Sequence, residues 1–289
     1  MKPMIFASVA ASLAASAVPA SASTNEVHIK NAVARVAVVV EDRTDVAVEV
    51  EQGASGLPAV TVSRRGGQVV IDGDLGRRAI RNCRSGPADT AQPGQGASVD
   101  VRGHGQIDVA DAPLIVIRSP RAVNVEAGGA VFGSVGRGAA SVTVETAGCG
   151  GWTIANVEGP LNVTVAGSGD IRAGVSRSLE IDVAGSGDVS VGATGAAEVS
   201  IAGSGDVAIA SVTGNFETNI AGSGDVLVRA GRADRFEVNI MGGGDVDFRG
   251  SAATAEINLM GGGDVRIASV SGTIERNVMG GGDIIIGGR

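Results

Sequence analysis

Seven aspartates recur at nearly constant spacing in the second half of the chain, each directly after a Gly-x-Gly turn. Successive aspartates are 18 to 20 residues apart, and the residue between the glycines is Ser in the first four copies and Gly in the last three. Ca²⁺ prefers several oxygen ligands, so this column supplies candidate metal ligands. They are Asp170, Asp188, Asp206, Asp225, Asp245, Asp264 and Asp283.

A structural role is the competing interpretation of these aspartates. Glycine adopts positive φ without steric cost, and an Asp that follows such a turn accepts backbone N–H bonds. Calcium-binding β-rolls repeat every nine residues or so, whereas the period here is about twice as long. This mismatch favours a structural corner. We therefore expect no cofactor, with Ca²⁺ as the alternative.

A second acidic column lies eight residues before each aspartate from the second copy onward. It consists of Glu180, Glu198, Glu217, Glu237, Glu256 and Glu275. Two residues further on, a polar column consists of Asp182, Ser200, Asn219, Asn239, Asn258 and Asn277. Arginines such as Arg177, Arg235 and Arg276 favour a solvated face. Packing does not require outward glutamates, however, so the Glu column is the candidate binding face, for Ca²⁺ or another ligand.

Apolar residues alternate with these polar columns, which is the period of a strand with one buried face. Five residues before each aspartate, for example, stand Val165, Val183, Ile201, Ile220, Ile240, Leu259 and Val278. Each coil should run from strand to corner to strand, with identical positions stacked about 4.8 Å apart. The predicted fold is all-β, a right-handed parallel β-helix (solenoid) with coils of 18–20 residues, preceded by further β-strands.

The residue before each corner changes along the chain. Ala occupies it in the first four copies and Met in the last three, at Met241, Met260 and Met279. The change coincides with the loss of the Ser hydroxyl from the corner. We expect the methionines to fill gaps in the core, with a site for a soft metal as the alternative.

The first 22 residues have the pattern of a secretory signal peptide. Lys2 precedes an apolar run from Ile5 to Val18, and the small residues Ala20-Ser21-Ala22 follow it. The run is shorter than the roughly 20 residues that span a membrane. We therefore expect the mature protein to be periplasmic or secreted, and not membrane-spanning after cleavage.

The rest of the chain divides into three parts. Residues 23–75 carry alternating apolar runs and are predicted strands. Residues 76–105 are rich in Arg, Gly and Pro and are a predicted loop. Residues 106–289 are the predicted solenoid, with seven clear coils from about residue 161. Decayed copies of the corner are predicted at residues 148–152 and 103–107.

Composition limits the classes of function. The formal charge of −8 argues against nucleic acid as a partner, since that needs a basic face. Aromatic anchors for an interface are scarce, with one Trp, five Phe and no Tyr. The two cysteines, Cys83 and Cys149, would form a disulfide in an oxidising compartment, with buried free thiols as the alternative.

The blocks Ala-Gly-Ser-Gly-Asp-Val and Met-Gly-Gly-Gly-Asp-Val resemble the head GIN domain of autotransporter adhesins, a domain of unknown function. The resemblance extends to residues 33–49 and 113–125, hence to most of the mature chain. It implies an exported bacterial protein with a right-handed β-helix, and it carries over no catalytic residues.

The expected function is that of an exported, non-enzymatic structural or adhesin-like binding module of the cell envelope. Its partner would be an envelope or extracellular molecule, such as a glycan. A Ca²⁺-stabilised or polysaccharide-active β-helix is the alternative. No catalytic residues are predicted, because coil lengths leave no room for a cleft loop and neither His28 nor His104 has a recognisable nucleophile pattern.

Overall fold

The computed structural model describes residues 25–76, 78–86 and 94–287. It is a β-solenoid of about nine turns with coils of about 19 residues, preceded by other strands, which confirms the predicted fold class. The predicted signal peptide, residues 1–22, lies outside the described residues. Within those residues, no helix is both long and apolar enough to cross a membrane.

Over the described ranges, the strands follow one another with one 3₁₀ turn, Val109–Asp111, among them. They are β1 Glu26–Val40, β2 Ala47–Glu51, β3 Thr61–Arg65, β4 Gln68–Asp72, β5 Ile80–Arg84, β6 Ser98–Val101, β7 Gly105–Asp108, β8 Leu114–Ser119, β9 Ala122–Val135, β10 Ser141–Ile154, β11 Pro160–Gly167, β12 Asp170–Ala173, β13 Ser178–Gly185, β14 Val189–Thr194, β15 Ala196–Gly203, β16 Val207–Val212, β17 Phe216–Gly222, β18 Val226–Val228, β19 Arg232–Gly242, β20 Val246–Gly261, β21 Val265–Val270, β22 Ile274–Gly280 and β23 Ile284–Ile286.

Each repeating coil consists of a first strand, a Gly-x-Gly-Asp corner and a second strand. First strands pair in parallel and in register with those of the next coil, so that β15 places Glu198 beside Glu217 of β17. Second strands stack in the same way, from β12 through β14 and β16 to β18. Strand β20 continues without a break from the second strand of one coil into the first strand of the next.

The inward columns form one continuous apolar core along the axis of the solenoid. Three phenylalanines pack against one another inside it, Phe216, Phe236 and Phe248, with ring centroids 5.3 to 5.6 Å apart. Thr218 is an exception among the inward residues: it is fully buried, and its hydroxyl has no hydrogen-bond partner. The in-phase apolar pattern thus holds the coils together by contacts between neighbours.

The coil predicted at residues 148–152 is present. Strand β10 sets Gly148 beside Gly167 and Gly151 beside Asp170. Two further coils are formed by β9, within the predicted solenoid, and by β1, in the segment predicted only as strands. Their corners have lost the motif: Gly129 of β9 is the counterpart of Gly148.

The amino-terminal end of the stack is closed by strands that depart from the repeat. Strands β4 and β8 lie end to end on β1 and pair with it in parallel. Strands β3 and β2 then pair with these two in the antiparallel sense. Antiparallel outer strands interrupt the parallel register, so they terminate the solenoid at this end. At the other end, Arg276 stands exposed in the last coil, at a position of the inward column.

Residues 76–105, predicted as a loop, contain strands β5 and β6. With β7 they form a small antiparallel sheet, ordered β5-β6-β7. The prediction of a corner copy at residues 103–107 is wrong. This segment is the turn of the β6–β7 hairpin and the beginning of β7, and Val101 pairs with Gly105. Glycines of a hairpin turn and of a solenoid corner look alike in sequence, since both need positive φ.

Candidate functional site

The corners require glycine because adjacent coils approach closely there. At Gly203, φ is +146°, and a Cβ would stand 2.1 Å from the carbonyl oxygen of Gly185 in the coil before. At Gly205, a Cβ would lie 2.3 Å from the oxygen of Gly187. Between them, the middle position is open: a Cβ on Gly243, Gly262 or Gly281 would meet nothing within 4 Å. The middle residue can therefore be Ser or Gly, as observed.

The seven aspartates form a ladder of hydrogen bonds between coils. The Oδ1 atom of Asp188 accepts the backbone N–H of Asp206 at 3.0 Å, and the same bond recurs in every step from Asp170 to Asp283 at 2.8 to 3.2 Å. Because each carboxylate satisfies a backbone donor of the next coil, the geometry favours a structural role for this column.

Ca²⁺ binding by the aspartates was the alternative to a structural corner, and it stays an untested hypothesis. Among the described residues, no group of three or more His, Cys, Asp or Glu side chains is placed to hold a metal ion. One oxygen of each carboxylate from Asp170 to Asp264 is already an acceptor in the ladder. Binding of Ca²⁺ would have to use the second oxygens, from carboxylates on successive coils.

The Glu column lies on the outward face of the first strands, where the six side chains stack in register. Arg235 bonds two of them, Glu237 and Glu256, at 2.8 Å each. These two carboxylates raise the pKa of Arg235. Partial desolvation, and after it the charges of Glu217, Glu180 and Asp182, raises the pKa of Glu198. The column is thus partly neutralised in later coils and self-repelling in earlier ones.

The polar column two residues further on contains an amide ladder. Nδ2 of Asn239 donates to Oδ1 of Asn219 at 2.9 Å, and Nδ2 of Asn258 donates to Oδ1 of Asn239 at 2.9 Å. A side-chain amide has two N–H donors and an oxygen with two lone pairs. After these bonds, Asn239 still has one donor and one acceptor for a ligand.

Beside the amide ladder runs an open groove, which we call the first-strand groove. It has a volume of about 570 Å³ and is shaped by residues of seven consecutive coils. Its side chains come from the polar column and from the column just before the corners. They include Ser200, Ala202, Asn219, Ala221, Asn239, Met241, Asn258 and Met260.

The prediction that the methionines fill the core is wrong. Met241, Met260 and Met279 are 57%, 45% and 59% exposed. The alternation of the strand explains their position, because Glu, Asn and Met stand eight, six and four residues before the aspartate and share one face. This parity was visible in the sequence and would have placed the methionines outside. The groove itself was not predicted, since the repeat does not reveal the curvature of a sheet.

The small sheet is attached to the same side of the solenoid as the corners, over the first coils. Cys83 of β5 is joined by a disulfide to Cys149 of β10, with Cα atoms 6.3 Å apart. Val99 and Val101 of β6 are fully buried in a second core that includes Phe132 of β9. The sheet and the disulfide therefore cover corners that remain open in later coils.

Comparison with known proteins places the chain in a described family. The family model described as "putative auto-transporter adhesin, head GIN domain" matches residues 26–212 and again residues 192–289. No curated protein matches the chain. The two matches overlap within the repeating coils, as the repetition of the solenoid would produce.

Proposed function

The chain belongs to the family of putative auto-transporter adhesins with a head GIN domain, and we propose that it is an exported, non-enzymatic binding module of the cell envelope. The first-strand groove is the contact surface of this module. Its ligand is an extended, uncharged chain rich in hydroxyl groups, which is the chemistry of a neutral glycan.

The observation that carries the proposal is the groove with its repeated lining. Seven coils contribute residues at equivalent positions, so a ligand with a repeating structure can make the same contact several times along the axis. Each additional contact adds to affinity once the first has ordered the ligand. A long groove with a periodic lining suits a polymer better than a compact small molecule.

The chemistry of the groove favours hydroxyl groups. The amides of Asn219, Asn239 and Asn258 offer both donors and acceptors, and a hydroxyl both donates and accepts. The neighbouring Ala and Met side chains supply apolar contact for C–H faces. The Glu column beside the groove repels anions, which disfavours acidic polysaccharides. All described aromatic side chains are buried, so stacking on sugar rings is not part of this contact.

Export and the absence of catalysis are supported by separate features. The Cys83–Cys149 disulfide is typical of oxidising compartments. The coils carry no long insertions around the groove, and His28 and His104 lie in β1 and in the β6–β7 turn, outside the coils that line it. A regular surface without loops that could close over a ligand is suited to contact more than to chemistry.

A binding screen tests the proposal. The purified protein is applied to neutral, cationic and anionic oligosaccharides and to isolated envelope fractions. The groove variant combines Asn219→Ala, Asn239→Ala and Asn258→Ala. The matched control carries Ser190→Ala and Asp247→Ala, which lie on the second strands outside the groove.

We expect neutral glycans to bind the wild-type protein and the control equally, and the groove variant at least tenfold more weakly. The melting temperatures of all three proteins check that the fold is retained. Equal binding by the groove variant would show that the groove is not the contact surface. Preference for anionic ligands would contradict the assigned chemistry.

A further inference from the structure

Three thioethers stand in register on the outer face of the last three coils. Strand pairing places Met241 beside Met260 and Met260 beside Met279. Their side chains are between 45% and 59% exposed, and they are among the most exposed large apolar side chains that the structure describes. Three adjacent, solvent-accessible sulfurs on a rigid sheet therefore form a defined cluster.

Packing does not account for this cluster. The same column is occupied by Ala184, Ala202 and Ala221 in earlier coils, and those coils have the same register. The corner glycines have the same conformation in both parts, with φ of +146° at Gly203 and +144° at Gly242. Because the backbone is equivalent, the methionines fill no space that the alanines leave empty. A ligand for the sulfurs explains the change better.

The spacing of the cluster matches metal coordination. Residues stacked on neighbouring strands are about 4.8 Å apart. With a metal–sulfur bond of roughly 2.3 Å, a linear two-coordinate ion needs sulfurs about 4.6 Å apart, and a trigonal ion needs them about 4.0 Å apart. The spacing of the strands therefore suits the first geometry for two adjacent methionines. The flexible side chain of Met lets all three sulfurs approach the second.

Thioether sulfur selects a particular class of ion. It is a soft, neutral ligand that favours Cu(I) over hard cations such as Ca²⁺ or Mg²⁺. Thiolates do not compete, since Cys83 and Cys149 are joined in the disulfide. The imidazoles of His28 and His104 lie in β1 and at the β6–β7 turn, not in the last coils. The formal charge of −8 favours the approach of a cation.

We propose that Met241, Met260 and Met279 form a binding site for a soft monovalent cation, Cu(I) or its analogue Ag(I). The ion lies between thioethers of adjacent coils on the outer face of the first strands. Met241 and Met260 also line the groove, but the metal would use their sulfur atoms and not the amide ladder, so substitutions in the ladder separate this site from the glycan proposal.

The first experiment titrates the purified protein with Ag(I) in chloride-free buffer under non-reducing conditions, followed by calorimetry. Cu(I) affinity is measured in parallel by competition with a chromophoric chelator. The test variant combines Met241→Leu, Met260→Leu and Met279→Leu, which keeps apolar volume and removes sulfur. A second variant replaces the same residues with Ala, as found in the earlier coils. The variant Ala221→Met extends the cluster by one coil.

We expect the wild-type protein to bind one ion per cluster and both triple variants to bind at least tenfold more weakly. Ala221→Met should bind more tightly or take up a second ion. X-ray absorption at the metal edge should show sulfur neighbours. The remaining methionines, Met1 and Met4, are common to all variants, so a difference in metal affinity is due to the cluster alone.

Two results would overturn the proposal: no binding of Ag(I) or Cu(I) by the wild-type protein at micromolar concentration, or equal binding by the leucine variant. The second result would leave the exposed column as an apolar contact surface for a partner molecule. If the wild-type protein bound the metal but no glycan, only the groove proposal would be contradicted. The melting temperatures of the leucine and alanine variants serve as the control that both variants are folded.

Discussion

The corners of the first coils and those of the later coils occupy the same position in the fold but face different surroundings. In β9 and β10, the small sheet covers the corner, and the position of the later aspartates holds Phe132 and Gly151. From β11 onward the corner faces water, and the position holds Asp. Cys149 stands next to Gly148 where later coils carry Ser, and it forms the disulfide.

The comparison distinguishes the residues that every corner needs from those that depend on whether the corner is covered. The first glycine of the corner is present in both regions, because adjacent backbones come too close for a Cβ: a Cβ would be 2.4 Å from a carbonyl oxygen at Gly148 and 2.0 Å at Gly242. The aspartate is not common to both. In the early corners, a buried aromatic ring (Phe132) or a glycine (Gly151) stands where the later coils have the carboxylate.

The largest expected effect comes from the covered corner. Phe132→Ala should lower the free energy of unfolding by about 3–5 kcal/mol, because it removes a ring from a packed core. Asp206→Ala in an open corner removes one acceptor and should lower it by about 1 kcal/mol. Denaturant titrations followed by circular dichroism measure both. Equal losses would contradict the distinction between the two regions.

Removing the disulfide should weaken the attachment of the small sheet to the first coils. The double variant Cys83→Ser and Cys149→Ser opens a link between residues 66 apart in sequence, which the chain-entropy model values at about 4 kcal/mol. We expect hydrogen exchange to increase first in β5–β7, while the later coils stay protected. Uniform exchange throughout the solenoid would show instead that the small sheet and the coils unfold together.

The glycine requirement can be tested within one open corner. Gly242→Ala places a Cβ 2.0 Å from the oxygen of Gly222 in a residue with φ of +144°. It should destabilise the protein by about 3 kcal/mol or more. Gly243→Ala is the matched control, since a Cβ there meets nothing within 4 Å. Thermal melting of the two variants should differ strongly; similar melting temperatures would contradict the close approach of coils.

A smaller effect is expected from the self-repelling part of the Glu column. The pKa of Glu198 is raised in the folded protein, so its contribution favours folding at low pH and is lost as the pH rises through the raised pKa. Glu198→Gln should raise the melting temperature by roughly 1–2 °C at pH 7. At pH 4, where more of the carboxyl is protonated, the difference between the variant and the wild type should shrink. The same difference at both pH values would refute the charge of Glu198 as its cause.

The smallest effect is expected from Ca²⁺. Because the aspartate oxygens accept backbone N–H bonds between coils, millimolar Ca²⁺ should shift the melting temperature by less than about 1 °C. Mg²⁺ at the same concentration is the control for ionic strength. A clear, Ca²⁺-specific rise would restore the aspartates as metal ligands.

Much of the fold could be predicted because the repeat acts as its own alignment. In-phase residues such as Ile201, Ile220 and Ile240 identify the inward face and the stacking register. The coil of β1 was predicted only as strands, and that of β9 only as an undivided part of the solenoid, because their corners lack the repeated motif. The strands of the small sheet were missed because Gly, Arg and Pro dominate residues 76–105 and no repeat marks its antiparallel pairs.

The candidate site was predictable in part. The sequence identified the outward columns, including the asparagines, and the strand period would also have placed Met241, Met260 and Met279 beside them. It could not show that these columns border a groove, since a groove depends on how far the stacked strands curve. The amide ladder between Asn219, Asn239 and Asn258 likewise depends on rotamers that only the packed neighbours decide.

The sequence by itself determined the solenoid, its period and the two faces of its strands, because equivalent residues at a near-constant interval can bury their apolar sides only by stacking. The tertiary structure alone decided which corners are covered, how the amino-terminal end is closed and where the groove lies. These features depend on contacts between segments far apart in the chain, such as Cys83 with Cys149 and β4 with β1, for which no local pattern exists.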